Sequence, residues 1–191
     1  MHARTLILLS SILLFVMTSC GQADTNTEEG GLKKYSWIGF TIRVPASWEE
    51  VDLTKISAPI RGKFEMAMRS TVNKRGFMNN ITIISDTLMT QVSSGEYARQ
   101  SMTLAARDYL SMNMVSNEVI KFADDSTSQL WIFRAQYNEV TQEHLFFQTA
   151  KICDSTVYLI TIWLSSDTET NLYDQYKNVL KSFTCIIPKK K

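Results

Sequence analysis

Thr156-Val157-Tyr158-Leu159-Ile160-Thr161-Ile162-Trp163-Leu164 carries large apolar side chains at odd and even positions alike. A half-solvated strand alternates apolar and polar residues, whereas a strand apolar on both faces is covered on both. Residues 157–164 therefore read as a central strand with a layer on each side. The next segment, 167–183, is helical. Leu172, Tyr176, Val179, Leu180 and Phe183 recur at i, i+4, i+7, i+8 and i+11, and Ser166 and Glu169 have capping-box spacing at its start.

Upstream lies a run of strands. Residues 143–152 form one. Residues 129–140 form another, with Trp131, Phe133, Ala135 and Tyr137 on one face and Arg134, Gln136 and Asn138 on the other. Residues 115–122 form a third. A helix precedes them: Ser93 and Glu96 have capping-box spacing, and Ala98, Met102, Ala105, Tyr109 and Met112 fall on one stripe that Asn113 closes. Nearer the front, Phe40-Thr41-Ile42-Arg43-Val44 alternates and ends at Pro45. In 63–69, Phe64, Met66 and Met68 face inward, and Lys63, Glu65 and Arg69 outward. Residues 72–78 read as a turn or short loop, and 80–85 as a strand with Ile81 and Ile83 on one face. Strands, helix, strands, helix is the order of an α+β domain, a mostly antiparallel sheet covered by helices.

The N-terminus carries a different signal. Arg4 precedes a run of about a dozen mostly apolar residues, too short to span a bilayer and matching a signal-peptide core. Met17-Thr18-Ser19-Cys20 then resembles the bacterial lipobox, which implies cleavage after residue 19 and diacylation of Cys20 with palmitate-type chains. The expected organisation is a signal peptide at 1–19, the lipidated Cys20 with a flexible tether over 20–32, one domain over 33–187 and a basic tail at 188–191. The tether segment GQADTNTEEGG has no large apolar side chain to offset its ordering entropy. The chain has 20 basic and 19 acidic residues. That balance argues against a nucleic-acid partner, which calls for a basic excess or patch.

Cys153 and Cys185 remain after the lipid site. An exported compartment permits a disulfide between them. A strand of about 30 Å and a helix returning about 25 Å antiparallel to it bring the two ends together. A pair of free thiols stays open, and a redox or metal pair lacks C-x-x-C spacing.

Little else suggests chemistry. His144 is the one histidine after the leader, and a hydrolase would have to use it, with Glu143 or Asp154 nearby in sequence. Asp124-Asp125-Ser126-Thr127 offers oxygens without the Gly and Glu of a calcium loop. Glu49, Glu50 and Asp52 form an acidic cluster. Trp48, Trp131 and Trp163 read as core, Trp37 is the least committed, and the loop 55–62 with Pro59 is placed to border a cleft. No cofactor or metal site is expected.

Gly39-Phe40-Thr41-Ile42-Arg43-Val44-Pro45-Ala46-Ser47-Trp48 resembles the opening strand of the PsbP-like, DcrB-like superfamily. Asn79-Asn80-Ile81-Thr82-Ile83, Ser94-Gly95-Glu96-Tyr97-Ala98 and Leu180-Lys181-Ser182-Phe183 resemble its later strand, its long helix and the close of its last helix. The resemblance covers about residues 35 to 184 and carries no catalytic residue. It implies a non-enzymatic binding or accessory module, here lipid-anchored in the bacterial cell envelope and serving a membrane-associated complex through a protein partner. Capture of a small ligand or metal ion is the alternative, and a hydrolase a more distant one.

Overall fold

The computed structural model describes residues 31–59, 61–74 and 76–186; the expected leader, Cys20, residues 21–30 of the tether and the tail 188–191 lie outside the described residues. The elements are β1 (Leu32–Trp37), β2 (Phe40–Pro45), β3 (Trp48–Glu50), β4 (Lys63–Lys74), β5 (Phe77–Thr87), α1 (Ser94–Ala105), β6 (Ser111–Lys121), β7 (Thr127–Gln136), β8 (His144–Cys153), β9 (Thr156–Ser165), α2 (Tyr173–Lys181) and β10 (Thr184–Cys185). They build a seven-stranded sheet of order β3-β4-β5-β9-β8-β7-β6 and a three-stranded sheet of order β1-β2-β10. Every pairing is antiparallel. The doubly apolar strand β9 takes the middle position, between β5 and β8.

The inner face of the large sheet carries Met66, Ile81, Ile83, Ile160, Ile162, Leu145, Phe147 and Ile132. It packs against Phe40, Ile42 and Val44 of the small sheet and Tyr176, Val179 and Leu180 of α2. Each large apolar side chain so buried contributes about 1.5–3 kcal/mol against chain entropy. Phe183 stacks on Phe40, with centroids 5.1 Å apart, and joins the same core. The outer face is covered by α1, which packs over β7 and β8. Met102 meets Phe133, Ala135 and Phe146, and Ala98 meets Ala150 and Val157.

Several local expectations change. The segment 72–78 is not a loop: β4 and β5 extend to Lys74 and from Phe77, leaving a tight turn with Gly76 at φ 85°. A β-bulge between Phe64 and Met66 breaks the alternation, since Phe64 pairs with Ile84 while Met66 pairs with Ile83. Phe64 is thereby turned to the outer face, away from Met66 and Met68. Helix α1 stops at Ala105, so Met112 and Asn113 belong to β6. The backbone N–H of Leu110 already donates to Gln136 at 2.8 Å, which captures the chain into the sheet. Met112 still packs with Met102, which is why it fitted the helical stripe. Tyr137 and Asn138 lie beyond β7, where Asn138 forms a turn with Thr141.

The last helix is shorter than 167–183. A 3₁₀ turn over Thr170–Leu172 precedes α2, and the Ser166–Glu169 capping box does not form, because Glu169 caps that turn without a side-chain bond. The Ser93 half of the other box is present, with its hydroxyl accepting from the Glu96 N–H at 3.1 Å. The tether boundary also moves by one residue, since β1 begins at Leu32.

Cys153, at the end of β8, is bonded to Cys185 of β10, with Cα atoms 5.7 Å apart. The bond fastens the small sheet to the centre of the large one. Closing a 32-residue separation stabilises the fold by roughly 3–4 kcal/mol in the chain-entropy view. The double variant Cys153→Ser/Cys185→Ser is therefore expected to melt roughly 10 °C lower. Calorimetry with and without dithiothreitol checks this, and an unchanged melting temperature would show that the bond constrains nothing.

Candidate functional site

Helix α1 leaves the outer face of β4, β5 and β9 uncovered, and a groove of about 950 Å³ opens there. Its floor is made of cross-strand rows. Ala67, Thr82, Thr161 and Gln148 lie in register across β4, β5, β9 and β8, and beside them run Asn80, Trp163 and Phe146. One wall is the flank of α1, with Tyr97, Ser101 and Leu104 at i, i+4 and i+7. The other holds Ile56, Pro59 and Arg61 of the loop after β3, with Phe77 and Met78 at the start of β5. Gly62 lets that loop return: its φ is +72°, and a Cβ there would run into the Ser85 carbonyl.

One end of the groove is aromatic. Tyr137 sits 4.7 Å from Tyr109 and 5.8 Å from Trp163, centroid to centroid, and Phe77 sits 5.4 Å from Trp163. Tyr137 is 41% exposed, so this cluster reaches solvent at the mouth. Burial, reinforced by the neighbouring Tyr137 hydroxyl, pushes the Tyr109 phenol up and keeps it protonated. Burial and then the charge of Asp86 do the same to Tyr97.

Polar groups on the floor are partly committed. Gln148 is only 7% exposed; its Nε2 donates to the Thr161 hydroxyl at 3.2 Å, and its Oε1 has no partner. The Asn80 side-chain amide donates to the Met78 carbonyl at 3.2 Å. The indole N–H of Trp163 is buried without a partner. Such arrangements suit orientation-specific recognition: a mostly apolar concavity with a few fixed polar groups.

Of the other residues singled out in the sequence, Trp163 and the Pro59 loop line the groove, His144 packs against its aromatic end, and the rest fall elsewhere. His144 opens β8, packed 4.2 Å from the Phe77 ring and 5.4 Å from Trp163, with its Nδ1 buried and unpartnered. Glu143 lies 3.9 Å from Arg134 instead, and Asp154 sits in the β8–β9 turn at φ 57°. The Asp124–Thr127 segment is the β6–β7 turn. There the Asp124 carboxylate receives Lys151 at 2.7 Å and the Ser126 hydroxyl at 2.6 Å. Burial opposes its ionisation, but those bonds prevail and hold the carboxyl below its ordinary range. Lys151, 3% exposed, is thus neutralised, with its ammonium over the Phe122 ring. Of the acidic cluster, Glu49 is bridged to Arg69 at 2.8 Å, and Asp52 caps a 3₁₀ turn through Thr54. Among the described residues no group of three or more His, Cys, Asp or Glu is placed to hold a metal ion. Trp48 is core; Trp37 is half-buried, stacked on Phe40. Trp131 and Trp163 only border the core, and Trp163 lines the groove. The loop with Pro59 does border a cleft. Thr82, Thr161 and Gln148 were missed; the signal for the first two was a threonine between the inward isoleucines of each strand, Ile81 and Ile83 on β5 and Ile160 and Ile162 on β9.

No family model and no curated protein matches the chain. Solved structures do, and the architecture is the PsbP-like fold. The cyanobacterial PsbP protein CyanoP of Synechocystis is 14% identical, with a TM-score of 0.57 over 89% of this chain and 99% of its own. The Saccharomyces cerevisiae Ran-binding protein Mog1p is 10% identical, with a TM-score of 0.53 over 80% of this chain and 94% of its own. A Pseudomonas aeruginosa protein of unknown function, PA94, is 10% identical, with a TM-score of 0.51 over 85% and 100%.

His144 generates a pH dependence. Burial lowers its pKa below the ordinary 6.5, with a smaller opposing pull from the Leu164 backbone. Between the lowered folded value and the unfolded one, the unfolded chain binds more protons, so stability falls as pH drops below about 6.5. The melting temperature is expected to decline from pH 7 to 5, and His144→Gln is expected to flatten that decline. An identical pH profile in the variant would overturn this assignment.

Proposed function

We propose that this protein is a non-catalytic binding module, held at the bacterial cell envelope by a lipid on Cys20, which recruits or stabilises a membrane-associated complex through the groove beside α1. The observation that carries the reading is the groove itself: a concavity of about 950 Å³ with aromatic side chains at one end and ordered polar groups on its floor. His144, the histidine a Ser-His-Asp or Cys-His hydrolase would need, supports binding over that chemistry, because its ring is packed against Phe77 and Trp163. Likeness to CyanoP and to the Ran-binding protein Mog1p is in keeping with an accessory or binding role, although fold alone does not carry function. Anchoring adds local concentration, since a tether of eleven residues, Gly21 to Gly31, reaches at most roughly 35–40 Å and confines encounters to the membrane surface. Two acyl chains suffice for stable anchoring.

Crosslinking of the native protein in cells, followed by mass spectrometry, tests this. A reproducible membrane-complex partner is expected, lost with Cys20→Ser and with Ser101→Trp, which fills the groove from the α1 wall. Recovery no different from an unrelated lipoprotein would overturn the proposal.

A further inference from the structure

The groove's lining narrows the chemistry of what enters it. Thr161's hydroxyl accepts from Gln148, so its own proton is free to donate into the groove. One N–H of the Asn80 amide goes to Met78, which leaves its second N–H as a donor and its oxygen as an acceptor. Thr82, directly opposite Thr161 on the floor, adds a hydroxyl that both donates and accepts. Groups that donate and accept therefore form a short polar lane inside a largely apolar trough. An acyl chain laid there would desolvate that lane without pairing it, at a cost for each group.

The rim adds a charge criterion. Arg69 is engaged by Glu49 at 2.8 Å. Arg61 and Arg107 are then balanced by Asp86 and Asp108 around the same opening. The rim's formal charges cancel and select no net charge. An extended peptide is a weaker match, because β5 and β9 are interior strands whose backbone groups are spent on their neighbours and offer no edge for strand addition. What does fit is a ligand with hydroxyls that each donate and accept, and with flat C–H faces for aromatic rings. Tyr137 supplies such a ring at the mouth, 41% exposed and backed by Trp163.

We infer that the groove binds a neutral oligosaccharide, with one sugar ring on Tyr137 and sugar hydroxyls bonded to Asn80, Thr82 and Thr161. This rests on the groove being the binding face, as proposed above. The probes are maltohexaose, cellohexaose and chitohexaose, titrated calorimetrically into the full-length mature protein in phosphatidylcholine nanodiscs, with an uncharged Ala-Ser-Gly heptapeptide as competitor class. Saturable binding of one saccharide is expected, weakened about ten-fold or more by Tyr137→Ala and by Thr161→Val. Tyr137 is at the surface, so Tyr137→Ala should keep the parent melting temperature; Thr161→Val also removes the acceptor of the buried Gln148 amide, so its binding is read below its own, lower melting transition. Saccharide binding unaffected by either variant overturns the assignment. Binding of the heptapeptide alone, weakened by the same variants, overturns the saccharide and keeps the groove. If no probe binds while Ser101→Trp still abolishes the envelope crosslinks, the ligand class falls and the binding face stands; if those crosslinks persist, both fall.

Discussion

The structure depends on a mismatch of widths. Seven strands about 4.8 Å apart span about 29 Å, whereas one helix with its side chains covers about 10–12 Å. On the inner face the problem is solved with two elements, the small sheet and α2, and the face is apolar from β4 to β7. On the outer face there is only α1, twelve residues long and seated over β7 and β8. Beneath it the sheet is apolar: Phe133, Phe146 and Ala150 are buried. Beyond its edge the same sheet mixes Thr82, Thr161 and Asn80 with Ile84, Leu159 and Trp163, which interrupts what would otherwise be a continuous uncovered apolar surface. The groove is therefore a direct product of the layer count.

What keeps that open face in shape lies behind it. The small sheet is stitched to the large one by aromatic contacts among Phe40, Tyr158 and Phe183, with centroids 5.1–5.4 Å apart, and by the bond between Cys153 and Cys185. The β1–β2 hairpin turns at Gly39, whose φ of +93° and closeness to the Tyr158 hydroxyl leave no room for a side chain. Lys151 and Asp124 pin the β6–β7 turn to the sheet through an ion pair whose lysine is buried and whose carboxylate is 36% exposed. These contacts make the floor strands a rigid platform, on which side chains on one face hold fixed relative positions.

CyanoP and Mog1p share this architecture at 14% and 10% identity. At such identity the likeness is one of fold alone, and fold does not carry function. For this chain, specificity is accordingly sought in the outer-face residues, which are free of the inner core's packing constraint.

The sequence alone determined the central position of β9, the presence of two amphipathic helices and the α+β order, because each follows from local periodicity; for Cys153 and Cys185 it left a disulfide and free thiols both open, and the fold brought the two together. It also marked His144, Trp163 and the Pro59 loop, without saying that Trp163 and the loop would face each other across one concavity. Tertiary structure decided the rest. The bulge that turns Phe64 outward, the capture of 110–113 into the sheet and the register that aligns Ala67, Thr82, Thr161 and Gln148 all depend on which strands become neighbours. Residues 79 apart in sequence, such as Thr82 and Thr161, become opposite only when β5 meets β9. Periodicity specifies which face a side chain takes on its own strand; the pairing of strands specifies what stands beside it.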